Sequence, residues 1–381
     1  MSERVIKPDL NFVKSVIAAG GESLKKCYQC ATCTVVCNVT PEENPFPRKE
    51  MVQAQWGLKD QLFANPDIWL CHQCSDCTAY CPRGAKPGEV LGAIRKMSIE
   101  RYSPPAFLAR AVGSPKALIG LLLVPVAIFL AITASLGTLG SVPRGEHGEI
   151  VFANFVPVPA IDTVFILAAL FAVMGFFVGI KRYWADLSGG AGLQKWQKVY
   201  GGGYMGAIVN TVTEILSHRK FRQCDTAGDR ATSHLFVLFS FIGLAVTTTL
   251  AIVYLYGFGW ESPYNFSTAR DLFIKVIGNV SAAGLLLGIG LVMINRVKNA
   301  PKAGMGGYYD WLLIGIIATI AVTGILSELT RLADIAALAY PIYFAHLVAV
   351  FTLFAYAPYS KMAHMVYRTT AMVYARFSGR K

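Results

Sequence analysis

The sequence predicts an all-α chain with two domains: a small, cysteine-rich helical domain, then a bundle of six membrane-spanning helices. Three observations carry this. The runs 117–143, 163–180, 231–260, 276–295, 311–327 and 335–360 are uncharged or nearly so, and each can hold a span of roughly 17 to 25 residues. Eight of the nine cysteines fall between Cys27 and Cys81, ahead of all six runs. Between the two cysteine groups, residues 49–62 favour helix over strand.

Composition agrees. Hydrophobic residues make up 54% of the 381, and mean hydropathy is +0.46, well above the soluble range. Net charge is +12. Most basic residues flank apolar runs, so topology accounts for the charge and nucleic acid is not expected as a partner. The loops 181–233 and 294–310 and the tail 359–381 hold sixteen Lys and Arg, against four in 137–162, 258–275 and 328–336. The positive-inside rule then puts the first domain and the C-terminus in the cytoplasm of a multi-pass protein of the cytoplasmic membrane. The start of the chain is polar and lacks a secretory signal pattern. Aromatic residues near run ends, among them Trp184, Trp260, Tyr308 and Tyr340, suit an interfacial belt. Residues 102–116 read as a linker, placing the domains at 1–115 and 116–381; residues 205–216 read as an interfacial segment.

The cysteines form two runs, Cys27, Cys30, Cys33, Cys37 and Cys71, Cys74, Cys77, Cys81, each spaced C-x2-C-x2-C-x3-C. This is ferredoxin spacing, in which three thiolates of one run hold a 4Fe–4S cluster and the fourth cysteine serves the other cluster. Cluster one would use Cys27, Cys30, Cys33 and Cys81; cluster two would use Cys71, Cys74, Cys77 and Cys37. Zinc sites pair shorter knuckles and seldom use such a tight triple. Asn38 stands after Cys37, where the second run has Pro82. The ninth cysteine, Cys224, reads as a buried thiol.

Histidine supplies the second signal. His346 and His364 lie 18 residues apart in an apolar run. On one helix they would share a face about 27 Å apart, close to the bilayer core of about 30 Å. His234 opens the third run on the side where His364 leaves the sixth, so the two can hold one non-covalent heme b. His346 would serve a second heme with no obvious mate, and His218 is a candidate on the cytoplasmic side. His72 reads as a neighbour of cluster two, and His147 as solvated. Lys275 is a candidate for a quinone carbonyl. No G-x-G-x-x-G follows a strand, so flavin is left to partner subunits.

With these residues in view, residues 20–100 resemble the small iron–sulfur subunit of heterodisulfide reductases. Residues 160–370 are similar to the heme b subunits of that family and to the gamma subunit of respiratory nitrate reductase. Their fusion resembles the QmoC family, the membrane subunits of quinone-interacting membrane-bound oxidoreductases of sulfate reducers. The resemblance implies that His346 and His364 are heme ligands and that His234 matches one of a further pair ten residues apart; Leu244 stands at the other position. The segment 214–224 looks characteristic of the heterodisulfide-reductase-like branch and keeps His218 in view. The implied role is a subunit of a quinone-dependent oxidoreductase, passing electrons between menaquinone and flavin and iron–sulfur subunits, and on to adenylylsulfate reductase. Alternatives are a heterodisulfide-reductase-like, nitrate-reductase-like or dissimilatory sulfite reductase-linked complex. From another class, a metal-binding transporter or assembly protein would bind zinc and no heme.

Overall fold

The computed structural model describes residues 7–189, 203–224, 229–264, 266 and 268–379. Residues 1–6, within the stretch read for a signal, and 190–202 and 225–228 of the long basic loop lie outside the described residues. Among the described residues the regular structure is helical, and the only extended pairing is one bridge between Arg144 and Ile150.

Short helices build the first hundred residues. Leu10–Ala18 begins where Asp9 Oδ1 accepts from the Phe12 N–H at 3.0 Å, a cap worth about 1 kcal/mol. The helix expected over 49–62 is two helices, Arg48–Gln55 and Lys59–Phe63. Gly57 divides them at φ +67°, so close to Asp9 that a Cβ would collide with its backbone. Helix Pro87–Tyr102 carries Val90, Leu91, Ile94 and Ile99 into a core shared with Phe12, Val16, Met51 and Leu62.

Six helices are long and apolar enough to cross a membrane: Pro115–Ser135, Val158–Gly189, Asp229–Gly257, Ala269–Lys298, Tyr308–Leu332 and Ala336–Ala355. Large apolar side chains on their outer faces, such as Ile166, Leu170 and Phe177, stay exposed, as a lipid-facing surface requires. Spans three and four come close through small residues. Gly243 faces Ser281, and Gly288 lies against Val237 with no room for a Cβ.

The sixth span departs from expectation. It ends at Ala355, followed by the tight turns Ala357–Tyr359 and Lys361–Ala363, and a separate helix His364–Phe377 begins at the second histidine. Pro358 fits the break: it has no N–H to continue the ladder and falls instead in the first turn of the tight helix Ala357–Tyr359. His346 and His364 therefore do not share one straight helix.

The cysteine-bearing domain is seated on one end of the bundle. Arg101 and the Tyr102 hydroxyl both reach Asp186 of span two, at 3.1 and 2.9 Å. Ser103 Oγ bonds the Tyr367 hydroxyl at 2.8 Å, and Trp69 stacks on Tyr367 with ring centroids 5.3 Å apart. The stretch expected as a linker is packed: Tyr102 and Ser103 are buried, and Ala106–Val112 is helical. Tyr359, at the sixth span's end, donates to the Pro104 carbonyl at 2.7 Å.

Candidate redox site at the domain junction

Both cysteine runs fold the same way. Gln29 and Ala31 lie between the first three cysteines at φ +64° and +69°, and Gln73 and Ser75 lie at φ +52° and +74° in the second run. Non-glycine residues adopt this left-handed region at a cost of order 1 kcal/mol each. Four of them at matching positions mean that something repays the cost. Alternating handedness curls the backbone into a nest of inward N–H groups, an anion-binding shape. A cluster of iron and sulfide on thiolates is such an anion, and the residues fit it.

The sulfurs gather in two groups. Burial, with Cys27, Cys30 and Cys81 beside it, pushes the Cys33 thiol up to about 11. Burial next to Cys71 and Cys74 pushes Cys37 up to about 12, and burial beside the same pair raises Cys77 as well. Each run thus meets the last cysteine of the other. Thiols this reluctant to ionise are ligands only if the metal takes their protons' place. A narrow cavity at the first group is lined by Cys27, Cys30, Cys33 and Cys81 with Arg48 and Arg83 at its rim.

The second run is bound to the membrane domain. Arg368 of the last helix donates to the Cys71 carbonyl at 3.2 Å and to the His72 ring at 2.8 Å. Arg95 donates to the same Cys71 carbonyl at 2.8 Å, and Arg230, at the start of span three, to the Gln73 carbonyl at 2.9 Å. Asn38 Nδ2 donates to the Gln223 carbonyl at 2.8 Å, so the residue where a proline was expected ties the first run to the 214–224 segment. Cys224 is buried, and its sulfur lies with Cys74 Sγ and an Asp76 oxygen within 4.8 Å of one another.

Aromatic rings lead from this loop to the histidines. His72 stacks on Phe221 at 5.2 Å, and Phe221 lies 6.2 Å from His218 and 6.3 Å from His234. The His234 and His364 rings are 6.4 Å apart, centroid to centroid. That separation suits an iron between two imidazoles, with metal–nitrogen bonds of about 2 Å on either side. His364 Nδ1 donates to the Lys361 carbonyl at 2.6 Å, which fixes its tautomer and leaves Nε2 a lone pair. Burial lowers His364 to about 3, so the ring is neutral. His234 spends Nδ1 on His218 Nε2 at 2.8 Å and likewise keeps Nε2 open. His218, with backbone φ +50° and its own Nδ1 buried without a partner, orients His234 rather than facing His364. A histidine ligand held through its other nitrogen is the usual arrangement at metals.

His346 is elsewhere. Thr323 donates its hydroxyl proton to the Thr319 carbonyl at 2.6 Å, so it accepts from His346 Nδ1–H at 3.0 Å, leaving Nε2 free. Gly324 opens space at this ring, where a Cβ would stand 3.1 Å from Cε1. Among the described residues no second histidine packs against it. Lys275 is ion-paired with Glu328 of span five, whose other oxygen meets Arg331 at 3.3 Å, and its ammonium lies 5.0 Å over the Phe266 ring. His147 is exposed.

The residues missed in the sequence are the connectors: Arg95, Arg230, Arg368 and Phe221. Nothing in their local sequence marks them, since the bond from Arg368 to Cys71 spans 297 positions.

Comparison with known proteins follows this division. The model of the 4Fe–4S dicluster domain matches residues 23–85, and that of citrate utilization protein B matches residues 112–381. The chain is 35% identical over 108 residues to the C-subunit of the H(2):CoB-CoM heterodisulfide,ferredoxin reductase of Methanothermobacter marburgensis, covering 28% of this chain and 57% of that protein. It is 35% identical over 85 residues to a protein of Archaeoglobus profundus described as like the heterodisulfide reductase C-subunit, 22% of this chain and 45% of that one. These matches span about half the length of those relatives. A citrate utilization protein B of Escherichia coli is 24% identical over 376 residues, 92% of this chain and 89% of its own. No solved structure matches. The N-terminal region is a 4Fe–4S dicluster domain, and by the match over residues 112–381 the chain belongs to the citrate utilization protein B family.

Proposed function

We propose that the chain is the membrane electron-transfer subunit of a quinone-dependent oxidoreductase complex. Residues 1–115 lie in the cytoplasm and residues 116–381 in the cytoplasmic membrane. The observation that carries this reading is the junction: the Cys71–Cys74 loop, His72, Phe221 and the His218, His234, His364 group form one line of neighbouring rings and backbone. Two 4Fe–4S clusters and a heme b supply one-electron carriage when bound. The chain's residues hold them in line: Cys27, Cys30, Cys33 and Cys81 for cluster one, Cys71, Cys74, Cys77 and Cys37 for cluster two, and His234 and His364 through Nε2 for the heme. His218 fixes the His234 ring by accepting its Nδ1 proton. His346, held through Thr323, is the ligand available to a second heme.

Menaquinone is the proposed membrane partner, with Lys275 beside Glu328 placed to bind a carbonyl and hand on a proton. The soluble partners are flavin and iron–sulfur subunits, and in the QmoC reading the route ends at adenylylsulfate reductase. Likeness to the small subunits of heterodisulfide reductases over the cluster domain supports the cytoplasmic half of this route. The likeness to citrate utilization protein B over 92% of the chain favours a second reading. It keeps the same wire and exchanges the soluble partner for one that serves citrate utilization. Subunits that co-purify with the native protein separate the two.

The test is the heme-to-protein ratio of purified protein, with His218, His234, His346 and His364 each replaced by Ala. Loss of a low-spin b-type spectrum on changing His234 or His364, with a broadened but retained spectrum for His218→Ala, is expected. Zinc in place of iron, with no heme, would sink the proposal and favour a transporter or assembly protein.

A further inference from the structure

Three guanidinium groups converge on one cluster loop. Arg95 and Arg368 share the Cys71 carbonyl, and Arg230 takes the Gln73 carbonyl two residues on. They come from three separate elements: the helix Pro87–Tyr102, the last helix and the start of span three. None of the three is in direct ion-pair contact with a carboxylate among the described residues; the acidic groups that act on Arg368 and Arg230 from further off, Glu214 and Asp310, are each bound to another arginine. Three other arginines at this end of the bundle are paired: Arg101 with Asp186, Arg296 with Asp310 and Arg376 with Glu214. Three like charges brought together where water reaches only part of each repel one another, and an anion among them offsets that repulsion.

The equivalent loop of the first run has no such half-buried set: the arginines at its cavity, Arg48 and Arg83, are both exposed. The Cys27 carbonyl accepts from the neutral amide of Gln55 at 2.9 Å, and the Gln29 carbonyl from Arg48, which is exposed to solvent. An exposed charge is screened; a part-buried one is screened much less.

We propose that Arg95, Arg230 and Arg368 are the counter-charge of cluster two and hold its reduction potential above that of cluster one. Cluster two then becomes the station that first holds an electron arriving from the histidine side. A 4Fe–4S cluster on four thiolates is anionic in both oxidation states and gains one negative charge on reduction, so fixed positive charge favours the reduced form. The quinol assigned above gives up two electrons, one per cluster, and releases two protons to water as it becomes quinone; at the clusters no bond is made or broken. The three arginines touch backbone and the His72 ring rather than iron or sulfide; they are positioning residues that act through charge. The difference in potential rests on the cluster assignment within the proposed function; only the direction from which the electron arrives rests on its heme and quinone.

The test is an anaerobic redox titration of the full-length protein in detergent, following each cluster by EPR. Dithionite and mediators set the potential. Variants are Arg368→Gln, Arg368→Lys and, should Arg368→Gln lose iron, Arg230→Gln. In the wild type two signals titrate apart. Arg368→Gln is expected to weaken reduction of the higher-potential cluster at least tenfold, equal to about 59 mV for a one-electron couple. The other cluster should move less than about threefold. Arg368→Lys, which keeps the charge and loses the two-point contact, should stay within about threefold of wild type. Equal shifts in both clusters, no shift, or a Lys variant that behaves like Gln would overturn the proposal. A protein without heme but with these cluster shifts would overturn the membrane wire and leave the counter-charge standing.

Discussion

The two cysteine loops share spacing, backbone handedness and ligand type, yet their surroundings are opposites. The first, Cys27 to Cys33, carries exposed Tyr28 and Cys30, a neutral amide on Cys27 and a solvent-facing Arg48. The second, Cys71 to Cys77, has Cys71 and Cys74 buried, two guanidiniums on one carbonyl and a membrane-side thiol against Cys74. Metal chemistry fixes the inner face of each loop. What touches the outer face decides which loop looks toward the membrane domain and which toward solvent.

Removing ligands breaks this comparison most severely. Cys33→Ser and Cys37→Ser, although in one run, should each cost a different cluster and leave the other, so iron falls to about half in both variants, because each sulfur group is closed by a cysteine of the opposite run. The EPR signals lost should differ between the two variants. Loss of the same signal from both would contradict the crossed assignment.

A smaller change sharpens the contrast from the other side. Gln55→Glu places a carboxylate where the first loop has an amide, on Cys27. It should make reduction of cluster one several-fold harder and leave cluster two within about twofold, read in the same titration. A change confined to cluster two would mean that the loops have been assigned to the wrong clusters.

Much of this was legible in the sequence for physical reasons that are local. Cubane ligation draws three thiolates from one tight run, so C-x2-C-x2-C is visible without a fold. A span needs about 20 apolar residues in a row, so six runs give six helices. Pro358 also stood in plain view inside the expected sixth helix, and its missing N–H should have ended the helix there. The break leaves His364 at the mouth of a new helix, where Lys361 fixes its tautomer. Other features are not local. His218 meets His234 across a segment of which 225–228 lie outside the described residues, and its φ of +50° has no sequence marker. Arg230 and Arg368 counted in the sequence only as membrane-flanking charge, yet they bind a loop 157 and 297 positions away. Spacing names ligands, while long-range contacts assign their environment.

If the proposed function holds, electrons pass between a membrane quinol and the two clusters through the junction of His234, His364, Phe221 and His72. The most direct measurement is anaerobic mixing of the full-length protein, in lipid nanodiscs, with a menaquinol analogue, following the b-type absorbance and then the cluster EPR of frozen samples. The expected result is heme reduction followed by a cluster signal that Arg368→Gln weakens, with no cluster signal in His364→Ala. Clusters that respond to dithionite but never to quinol, or that respond equally well in His364→Ala, would contradict it.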